Sequence, residues 1–258
     1  MKNIWIVGAS SGIGKDLAIA YGNLGHRVFV SARSLPALEA LAASHESKGE
    51  IIPMALDITQ ESAIQSVTAR IAQQVGHLNT VIVNAGTCEY VDDVQVDTQL
   101  VKRVLDTNYM GAIAVSNHVL PLLQKGVESQ LVFVSSSVTY QALPRAHAYG
   151  ASKAALRYFA ECLKMDVQKQ GVDVRLVSPG FVKTPLTDKN DFDMPFMISS
   201  EEAAKRIVSG LKSNQFDIQF PKRFTWMLKL FSLLPNGIKF KLLGSASRYE
   251  APPSKVSH

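Results

Sequence analysis

The sequence is poor in cysteine and lacks a long uninterrupted apolar segment near its start. Its 258 residues include only Cys88 and Cys162, which stand far apart with no histidine or second cysteine at ligand spacing beside them. This argues against a disulfide framework or a zinc site and favours buried free thiols. The N-terminus enters a short apolar strand that runs directly into glycines, so we expect no secretory signal and a cytoplasmic location.

Acidic residues are missing from one part of the chain. Residues 222–248 contain no Asp or Glu, whereas the rest of the chain carries 21 basic and 22 acidic residues. Such a neutral body with a local basic region argues against nucleic acid as a partner and indicates a local interaction surface. The basic residues of this stretch are Lys222, Arg223, Lys229, Lys239, Lys241 and Arg248.

The same stretch is rich in Trp, Phe and Leu and is interrupted at Pro235-Asn236-Gly237. We therefore expect residues 222–258 to be a basic amphipathic extension with two helices, not a separate domain, after a main domain of residues 1–221. It is too charged and too interrupted to span a bilayer. Two interpretations stay open: a peripheral anchor on anionic lipid, or an extension that packs on the core, closes a pocket or makes an oligomer contact.

The composition, 47% hydrophobic and 19% charged, suits one large domain with a buried core. Short β-rich apolar runs alternate with longer amphipathic stretches, which predicts an α/β fold: a doubly wound, seven-stranded parallel sheet of the Rossmann type with helices on both faces. The long connection 183–199 is expected to be a mobile flap over a site. The predicted strands are 3–7, 27–31, 50–55, 80–83, 130–135, 173–177 and 216–220, and the predicted helices are 13–24, 35–46, 61–75, 97–124, 150–170 and 200–212.

Glycines cluster where the first strand gives way to a helix, in Gly8-Ala9-Ser10-Ser11-Gly12-Ile13-Gly14. Glycines there let the backbone turn sharply and approach a pyrophosphate, which the free N–H groups of the helix N-terminus bind. This predicts a dinucleotide site. The same residues also fit the G-x-S-x-G pattern of a hydrolase nucleophile, but no suitable acid and histidine complete that constellation. A tight turn without a ligand is the other alternative.

An acid is missing after the second predicted strand, where an NAD-preferring enzyme places one for the ribose hydroxyls. The residues there are Ala32, Arg33 and Ser34. Ala32 does not repel a 2′-phosphate, and Arg33 with Ser34 can bind it, so NADP(H) is favoured over NAD(H). The alternative is that Arg33 is an ordinary solvated side chain.

A tyrosine and a lysine lie one helical turn apart at Tyr149-Gly150-Ala151-Ser152-Lys153. A spacing of four puts the phenol and the ammonium on one helix face. The lysine charge is expected to lower the pKa of Tyr149 and to make the tyrosine an acid–base group. Ser136 stands thirteen residues before Tyr149, at the end of the fifth predicted strand.

In combination these motifs resemble the short-chain dehydrogenase/reductase family, over residues 1–215. The resemblance implies an oxidoreductase acting on CH–OH or C=O groups, in which Ser136 stabilises charge on the substrate oxygen and Tyr149 transfers the proton. It also implies that Lys153 holds the nicotinamide ribose and that Asn108 keeps a water in a proton relay. The motifs are GxxxGxG, Asn84-Ala85-Gly86, Asn108, Ser136, Tyr149-x-x-x-Lys153 and Pro179-Gly180-x-Val182-x-Thr184.

The resemblance assigns further cofactor contacts and a quaternary structure. It implies that Asp57, with Ile58, contacts the adenine amine, although Asp57 in isolation is equally suited to capping the next helix. It also implies a homodimer or a homotetramer. The implied cofactor residues are Gly8, Ser10, Ser11, Gly12, Ile13, Gly14, Arg33, Ser34, Asp57, Ile58, Asn84, Ala85, Gly86, Tyr149, Lys153, Pro179, Gly180, Val182 and Thr184.

Two observations bear on the substrate and on competing functions. Gln141–Pro144 and an apolar flap over 186–197 are the expected pocket lining, which favours a small hydrophobic carbonyl or alcohol. A non-catalytic nucleotide-binding regulator or membrane-surface scaffold is the alternative function, and Ser136, Tyr149 and Lys153 argue against it. A sugar-nucleotide epimerase is disfavoured by the chain length and the glycine spacing.

Overall fold

The computed structural model describes residues 1–44, 48–93 and 95–244. Seven parallel strands form one sheet in the order β3-β2-β1-β4-β5-β6-β9, and β7 pairs with β8 in a separate two-stranded sheet. The predicted fold class is confirmed. The strands are β1 Asn3–Val7, β2 Arg27–Ala32, β3 Glu50–Ala55, β4 Thr80–Val83, β5 Ser129–Val134, β6 Val172–Pro179, β7 Val182–Lys183, β8 Ile198–Ser199 and β9 Asp217–Phe220.

Helices cover both faces of the sheet, and each face has its own apolar core. One core joins the sheet to α3, α5 and α6, and the other joins it to α1, α2 and α7. The central strands β1 and β4 are buried along their whole length, as expected of a parallel sheet between two helical layers. The helices are α1 Gly12–Asn23, α2 Leu35–Ala43, α3 Glu61–Val75, α4 Thr98–Leu105, α5 Gly111–Gln124, α6 His147–Val167, α7 Ser200–Gly210, α8 Lys222–Ser232 and α9 Asn236–Gly244.

One predicted helix is interrupted. The sequence predicts a single helix over 97–124, but α4 and α5 are joined by a π-helical turn, Asp106–Met110. The extra residue of a π turn shifts the side chains relative to a regular helix. This turn carries Asn108 and buries it.

The connection between β7 and β8 is the predicted flap. Its two ends are held together because Val182 pairs with Ile198 and Lys183 with Ser199. Between them the chain forms a short 3₁₀ turn, Thr187–Lys189, and otherwise irregular structure. The flap is therefore a loop that is closed at its base.

The extension begins directly after the edge strand β9. Helix α8 packs on β9 and on the 3₁₀ turn Ser137–Tyr140 through Phe224, Thr225 and Leu228, whereas α9 has no buried residue. The two helices are separated at residues 233–235, so of the predicted break Pro235-Asn236-Gly237 only Pro235 lies outside a helix, and α9 begins at Asn236. No helix in the described part of the chain is long and apolar enough to cross a bilayer. The end of the predicted helix 35–46 and the extension from residue 245 on, with Arg248, lie outside the described residues.

Candidate active site

A cleft of about 810 Å³ lies at the carboxyl edge of the sheet, over the ends of β1 and β4. The strand order reverses between these two strands, and such a reversal leaves a crevice that loops do not cross. All of the predicted cofactor residues line it except Gly14. Ser136 lines it as well, whereas Asn108 does not.

The glycine turn after β1 is packed against the neighbouring strand. Gly8 has φ +92, and a Cβ there would stand 2.5 Å from the backbone nitrogen of Ala85. The Gly8 N–H donates to the Ser31 carbonyl over 2.7 Å, and the Ala85 N–H donates to the Val7 carbonyl over 2.8 Å. Only glycine combines this backbone angle with such close contact.

The N-terminus of α1 opens toward the cleft. Ser11 is the residue before the helix, and its side chain makes no capping hydrogen bond. The N–H groups of the first turn have no partner within the helix, so they suit an anion. Gly14 has a different role from its neighbours: a Cβ there would stand 2.1 Å from the Gly8 carbonyl oxygen, so this glycine permits the helix to pack on the turn.

The outer end of the cleft carries Arg33, Ser34 and Asp57. Arg33 is exposed, and Ser34 caps α2 by accepting a hydrogen bond from the Ala37 N–H. Asp57 Oδ1 accepts hydrogen bonds from the backbone and the hydroxyl of Thr59, and the backbone bond holds the Asp57 pKa below its usual value. Asp57 therefore stabilises the local turn through Thr59 and also lines the cleft.

Ser136, Tyr149 and Lys153 meet at the inner end of the cleft. Ser136 follows β5, while Tyr149 and Lys153 lie in the first two turns of α6. Lys153 is 4% exposed, and its Nζ donates to the Val134 carbonyl over 2.9 Å. The same Nζ stands 6.0 Å from the centre of the Tyr149 ring. The two side chains share one helix face, as their spacing predicts.

The electrostatics of this pair differ from the sequence-based prediction. Burial raises the pKa of Tyr149 to about 12, although a hydrogen bond from Ser136 opposes this shift. Burial also lowers the pKa of Lys153 to about 8. The expectation that Lys153 lowers the pKa of Tyr149 is wrong for the protein alone, because burial outweighs any stabilisation of the phenolate. Tyr149 is therefore protonated at neutral pH.

The side chain of Asn108 links the loop after β4 to helix α6 by hydrogen bonds. Its Oδ1 accepts from the Thr87 N–H over 2.8 Å, and its Nδ2 donates to the Thr87 carbonyl and the Ser152 hydroxyl, each over 2.9 Å. The Ser152 hydroxyl in turn donates to the Tyr149 carbonyl over 2.7 Å. The π turn thus joins the loop after β4 to the helix that carries Tyr149 and Lys153.

Sequence reasoning missed the polar residues on the loop after β4. Glu89 lines the cleft with Arg103, to which it is ion-paired at 2.9 Å. Cys88 is half-buried, and burial raises the pKa of its thiol. A hydrogen bond with Tyr90 and the charge of Lys153 oppose this shift in the thiol pKa. The loop has no periodic pattern that could have indicated these positions. Both cysteines are free, as predicted, but each is half-buried rather than buried.

Aromatic and charged contacts hold the flap over the site. Tyr90 donates to Asn190 Oδ1 over 2.9 Å, and the rings of Tyr90 and Phe192 meet edge to face at 5.8 Å. Arg145 pairs with Asp191 at 2.9 Å and also with Asp92. The flap is tied on one side to the loop after β4 and on the other to the segment before α6.

The predicted substrate lining divides into two parts. Leu186, Thr187 and Lys189 of the flap line the cleft, whereas the rest of the predicted flap lining, residues 190–197, and Gln141–Pro144 do not. Gln141 is buried, and its side-chain amide donates to the Ala142 carbonyl. No group of three or more His, Cys, Asp or Glu side chains suited to a metal occurs within residues 1–44, 48–93 and 95–244.

The chain is similar to known proteins over most of its length. Residues 2–194 match the sequence profile of a family described as short chain dehydrogenase. An uncharacterised oxidoreductase of Myxococcus xanthus is 34% identical over 232 residues, which cover 90% of this chain and 92% of that one. The dehydrogenase/reductase SDR family member 7B of Bos taurus is 27% identical, over 95% of this chain and 81% of that one.

Solved structures share the fold. A short chain dehydrogenase from Burkholderia cenocepacia in complex with NADP superposes with a TM-score of 0.81 at 21% identity, covering 94% of this chain and 97% of that one. An alcohol dehydrogenase from Thermococcus sibiricus complexed with 5-hydroxy-NADP gives a TM-score of 0.77, also at 21% identity, covering 85% of this chain and 95% of that one.

Proposed function

The chain belongs to the short-chain dehydrogenase/reductase family of oxidoreductases, and on that premise we propose that it interconverts a hydrophobic carbonyl compound and its secondary alcohol with NADP(H). The observation that carries the proposal is the meeting of Ser136, Tyr149 and Lys153 at the inner end of a cleft whose outer end is a glycine turn beside a helix N-terminus. A cradle for a dinucleotide and a proton donor thus share one cavity.

The residues of the cleft fit a nicotinamide dinucleotide. The uncapped first turn of α1 offers N–H donors to a pyrophosphate, and Gly8 and Gly12, both at positive φ, form the turn that presents these donors. Lys153 and Asn84-Ala85-Gly86 would hold the ribose and adenosine portions, and Val182 and Thr184 the carboxamide. When bound, the cofactor supplies or accepts the hydride.

The preference for NADP(H) rests on Arg33. Its guanidinium is exposed at the outer end of the cleft, next to Ser34, and the neighbouring Ala32 has no charge. A planar cation with several donors suits a 2′-phosphate, and no carboxylate follows β2 to repel it.

Tyr149 is the proton donor in the proposed carbonyl reduction. With its pKa raised to about 12, the phenol holds its proton at neutral pH and can donate it to a carbonyl oxygen as the alcohol forms. The Ser136 hydroxyl lies beside it and would stabilise the charge that develops on that oxygen. Lys153, fixed by Val134, keeps a positive charge near the phenolate that remains.

The flap supports an apolar substrate. Phe192 packs on Tyr90 and Phe181, while Phe196 and Met197, further along the flap, are about half exposed. Aromatic and thioether side chains adapt to apolar ligands of differing shape and offer few hydrogen bonds to a sugar.

Replacing Tyr149 by Phe tests the chemistry. Reduction of hydrophobic ketones, followed as loss of NADPH absorbance, is expected to fall by about 10²–10⁴-fold, because the proton donor is removed. Binding of NADPH should change little. Tyr158→Phe is the matched control, since Tyr158 lies on the same helix but is 73% exposed. Unchanged turnover in Tyr149→Phe would refute the mechanism, while NADPH binding without any turnover in the native chain would favour a regulator.

Titration with NADPH and NADH tests the cofactor preference. NADPH should bind more tightly, and Arg33→Ala should weaken NADPH by about 10-fold or more while leaving NADH nearly unchanged, since a charge-assisted bond contributes about 1.5–3 kcal/mol. Arg70→Ala, an exposed arginine on α3, is the control. Tighter binding of NADH by the native chain would contradict the role given to Arg33.

A further inference from the structure

Helices α8 and α9 leave several large apolar side chains exposed to solvent. On α8, Trp226 is 60% exposed and Leu230 62%, and Leu233, the residue after the helix, is 80% exposed, so the three follow one another at spacings of four and three residues. On α9, Ile238 and Phe240 are exposed, and no residue of that helix is buried. Ile238 and Phe240, two residues apart, lie on different sides of α9, so the continuous apolar row is Trp226, Leu230 and Leu233, and we call these three side chains the apolar stripe.

The charge around the apolar stripe has one sign. The described part of the extension, residues 222–244, contains five basic residues and no acid. None of the five makes an ion pair within 4 Å in the described part of the chain. Lys229 lies over the rings of Tyr140 and Trp226, and Lys239 donates to the Ser232 carbonyl. The others are Lys222, Arg223 and Lys241.

We propose that the apolar stripe and the basic residues beside it form a docking surface for anionic lipid membranes. An amphipathic helix with Trp, Phe and Leu on one side and Lys or Arg beside them buries its apolar face at the headgroup boundary. Anionic headgroups neutralise the cations at the same time. Neither helix crosses the bilayer, so the contact is peripheral.

The charge pattern favours lipid over a second copy of the chain. A two-fold contact would place this surface against itself and bring two sets of five cations together without counter-charges. Like charges in a desolvated interface oppose association. An anionic bilayer supplies both the apolar layer and the missing negative charge.

The docking surface lies beside the flap. Helix α8 begins right after β9, at the carboxyl edge of the sheet, where the cleft opens. Phe224 on the inner side of α8 packs on Phe181 with ring centres 5.2 Å apart, and Phe181 packs on Phe192 of the flap at 5.9 Å. A bound membrane would therefore approach the edge of the molecule that carries the flap.

Flotation with vesicles tests the docking surface in the full chain. We expect it to float with phosphatidylcholine vesicles that contain about 30 mol% phosphatidylserine, to bind pure phosphatidylcholine at least 10-fold more weakly, and to be released by raised salt. Trp226→Asp with Leu230→Asp should abolish flotation. Val127→Asp with Met165→Asp, two exposed apolar residues at the opposite edge of the sheet, should not change it.

The two tryptophans provide an independent readout. Trp5 is fully buried in the core, whereas Trp226 is 60% exposed, so a change in fluorescence reports the docking surface. Anionic vesicles should shift the emission to shorter wavelength and protect it from iodide quenching. Trp226→Phe should lose the shift and keep the flotation.

The outcomes separate the proposal from its alternatives. Equal flotation of the native chain and the double Asp variant, with the variant still folded by thermal unfolding and still binding NADPH, would overturn it. A lack of flotation in the native chain would also overturn it. A lower molecular mass for the double Asp variant would then show that the apolar stripe is a contact between copies. Binding that ignores phosphatidylserine content would overturn the role of the charges.

Discussion

At the scale of single residues, Lys153 is a cation that is only 4% exposed, and its Nζ donates a hydrogen bond to the Val134 carbonyl. Its pKa of about 8 reflects the cost of keeping a charge away from water. Burying Lys153 lowers the stability of the folded state, but it places a positive charge beside Tyr149, where the proposed reaction needs one. Function at this residue therefore opposes stability.

This opposition predicts a pH-dependent difference between the native chain and Lys153→Met. The folded pKa of Lys153 lies below its unfolded value, so the unfolded state binds more protons between these two values, and the native chain gains stability as pH rises through that range. From pH 7 to pH 10, the free energy of unfolding of the native chain should rise by about 2–3 kcal/mol relative to that of Lys153→Met.

Urea unfolding of both proteins at several pH values measures this difference. Lys212→Met, at an exposed lysine, is the control and should track the native chain. A difference that stays flat from pH 7 to pH 10 would show that Lys153 carries no burial cost.

The sequence indicated which residues meet at this site but not what surrounds them. Tyr149 and Lys153 share a face because helical spacing is local, and Ser136 follows a strand that reads as apolar. The hydrogen-bond partners of Lys153 and Asn108, which are Val134, Ser152 and Thr87, could not be predicted. Which backbone groups and small hydroxyls lie near a side chain depends on tertiary packing, which the sequence pattern does not show. The sign of the Tyr149 pKa shift was missed for the same reason, since burial is not readable from spacing.

At the scale of elements, the flap depends on Arg145. This residue has φ +66 and an 11% exposed side chain, which pairs with Asp92 and Asp191 and lies 4.9 Å from the centre of the Tyr90 ring. It stands just before α6, so the segment that leads into the helix carrying Tyr149 also holds the flap.

We therefore expect Arg145→Gln to open the flap more often. Losing charge-assisted contacts to two half-exposed carboxylates costs on the order of 1–2 kcal/mol locally, which corresponds to about 10-fold more frequent opening. Hydrogen exchange across 186–197 should speed up accordingly, and KM for a hydrophobic ketone should rise more than kcat falls. Arg27→Gln removes an ion pair with Glu50 on β2 and β3 and should alter neither. Unchanged exchange in Arg145→Gln would mean that the aromatic contacts alone hold the flap.

The elements themselves followed from the sequence to differing degrees. The seven strands of the main sheet were predicted within two residues at each end, because short runs rich in β-branched and apolar residues alternate with longer helical stretches. The short pair β7 and β8 was missed, since two residues show no periodicity. The π turn at Asp106–Met110 was missed because its residues differ little from those of a regular helix.

At the scale of the whole molecule, the cleft joins parts of the chain that are distant in sequence, from the turn after β1 to the flap. A ligand that binds there binds only the folded state and stabilises it. At about 100 times its dissociation constant, NADPH should add about 2.7 kcal/mol and raise the melting temperature by roughly 5–10 °C.

Differential scanning fluorimetry with each cofactor at the same concentration measures this effect. NADH should give a smaller increase than NADPH, and Arg33→Ala should reduce the NADPH increase toward that of NADH. An increase of equal size for both cofactors in the native chain would contradict the preference proposed for Arg33.

The pairing of β7 with β8 has a consequence for how this fold can diversify. Because Val182 is joined to Ile198 and Lys183 to Ser199, the ends of the segment between them keep the same separation whatever lies in between. Doubling the length of such a closed loop costs only about 0.6 kcal/mol of closure entropy. Residues 185–197 can therefore accept insertions and substitutions that change ligand selectivity, while Thr184, Ser136, Tyr149 and Lys153 stay in place.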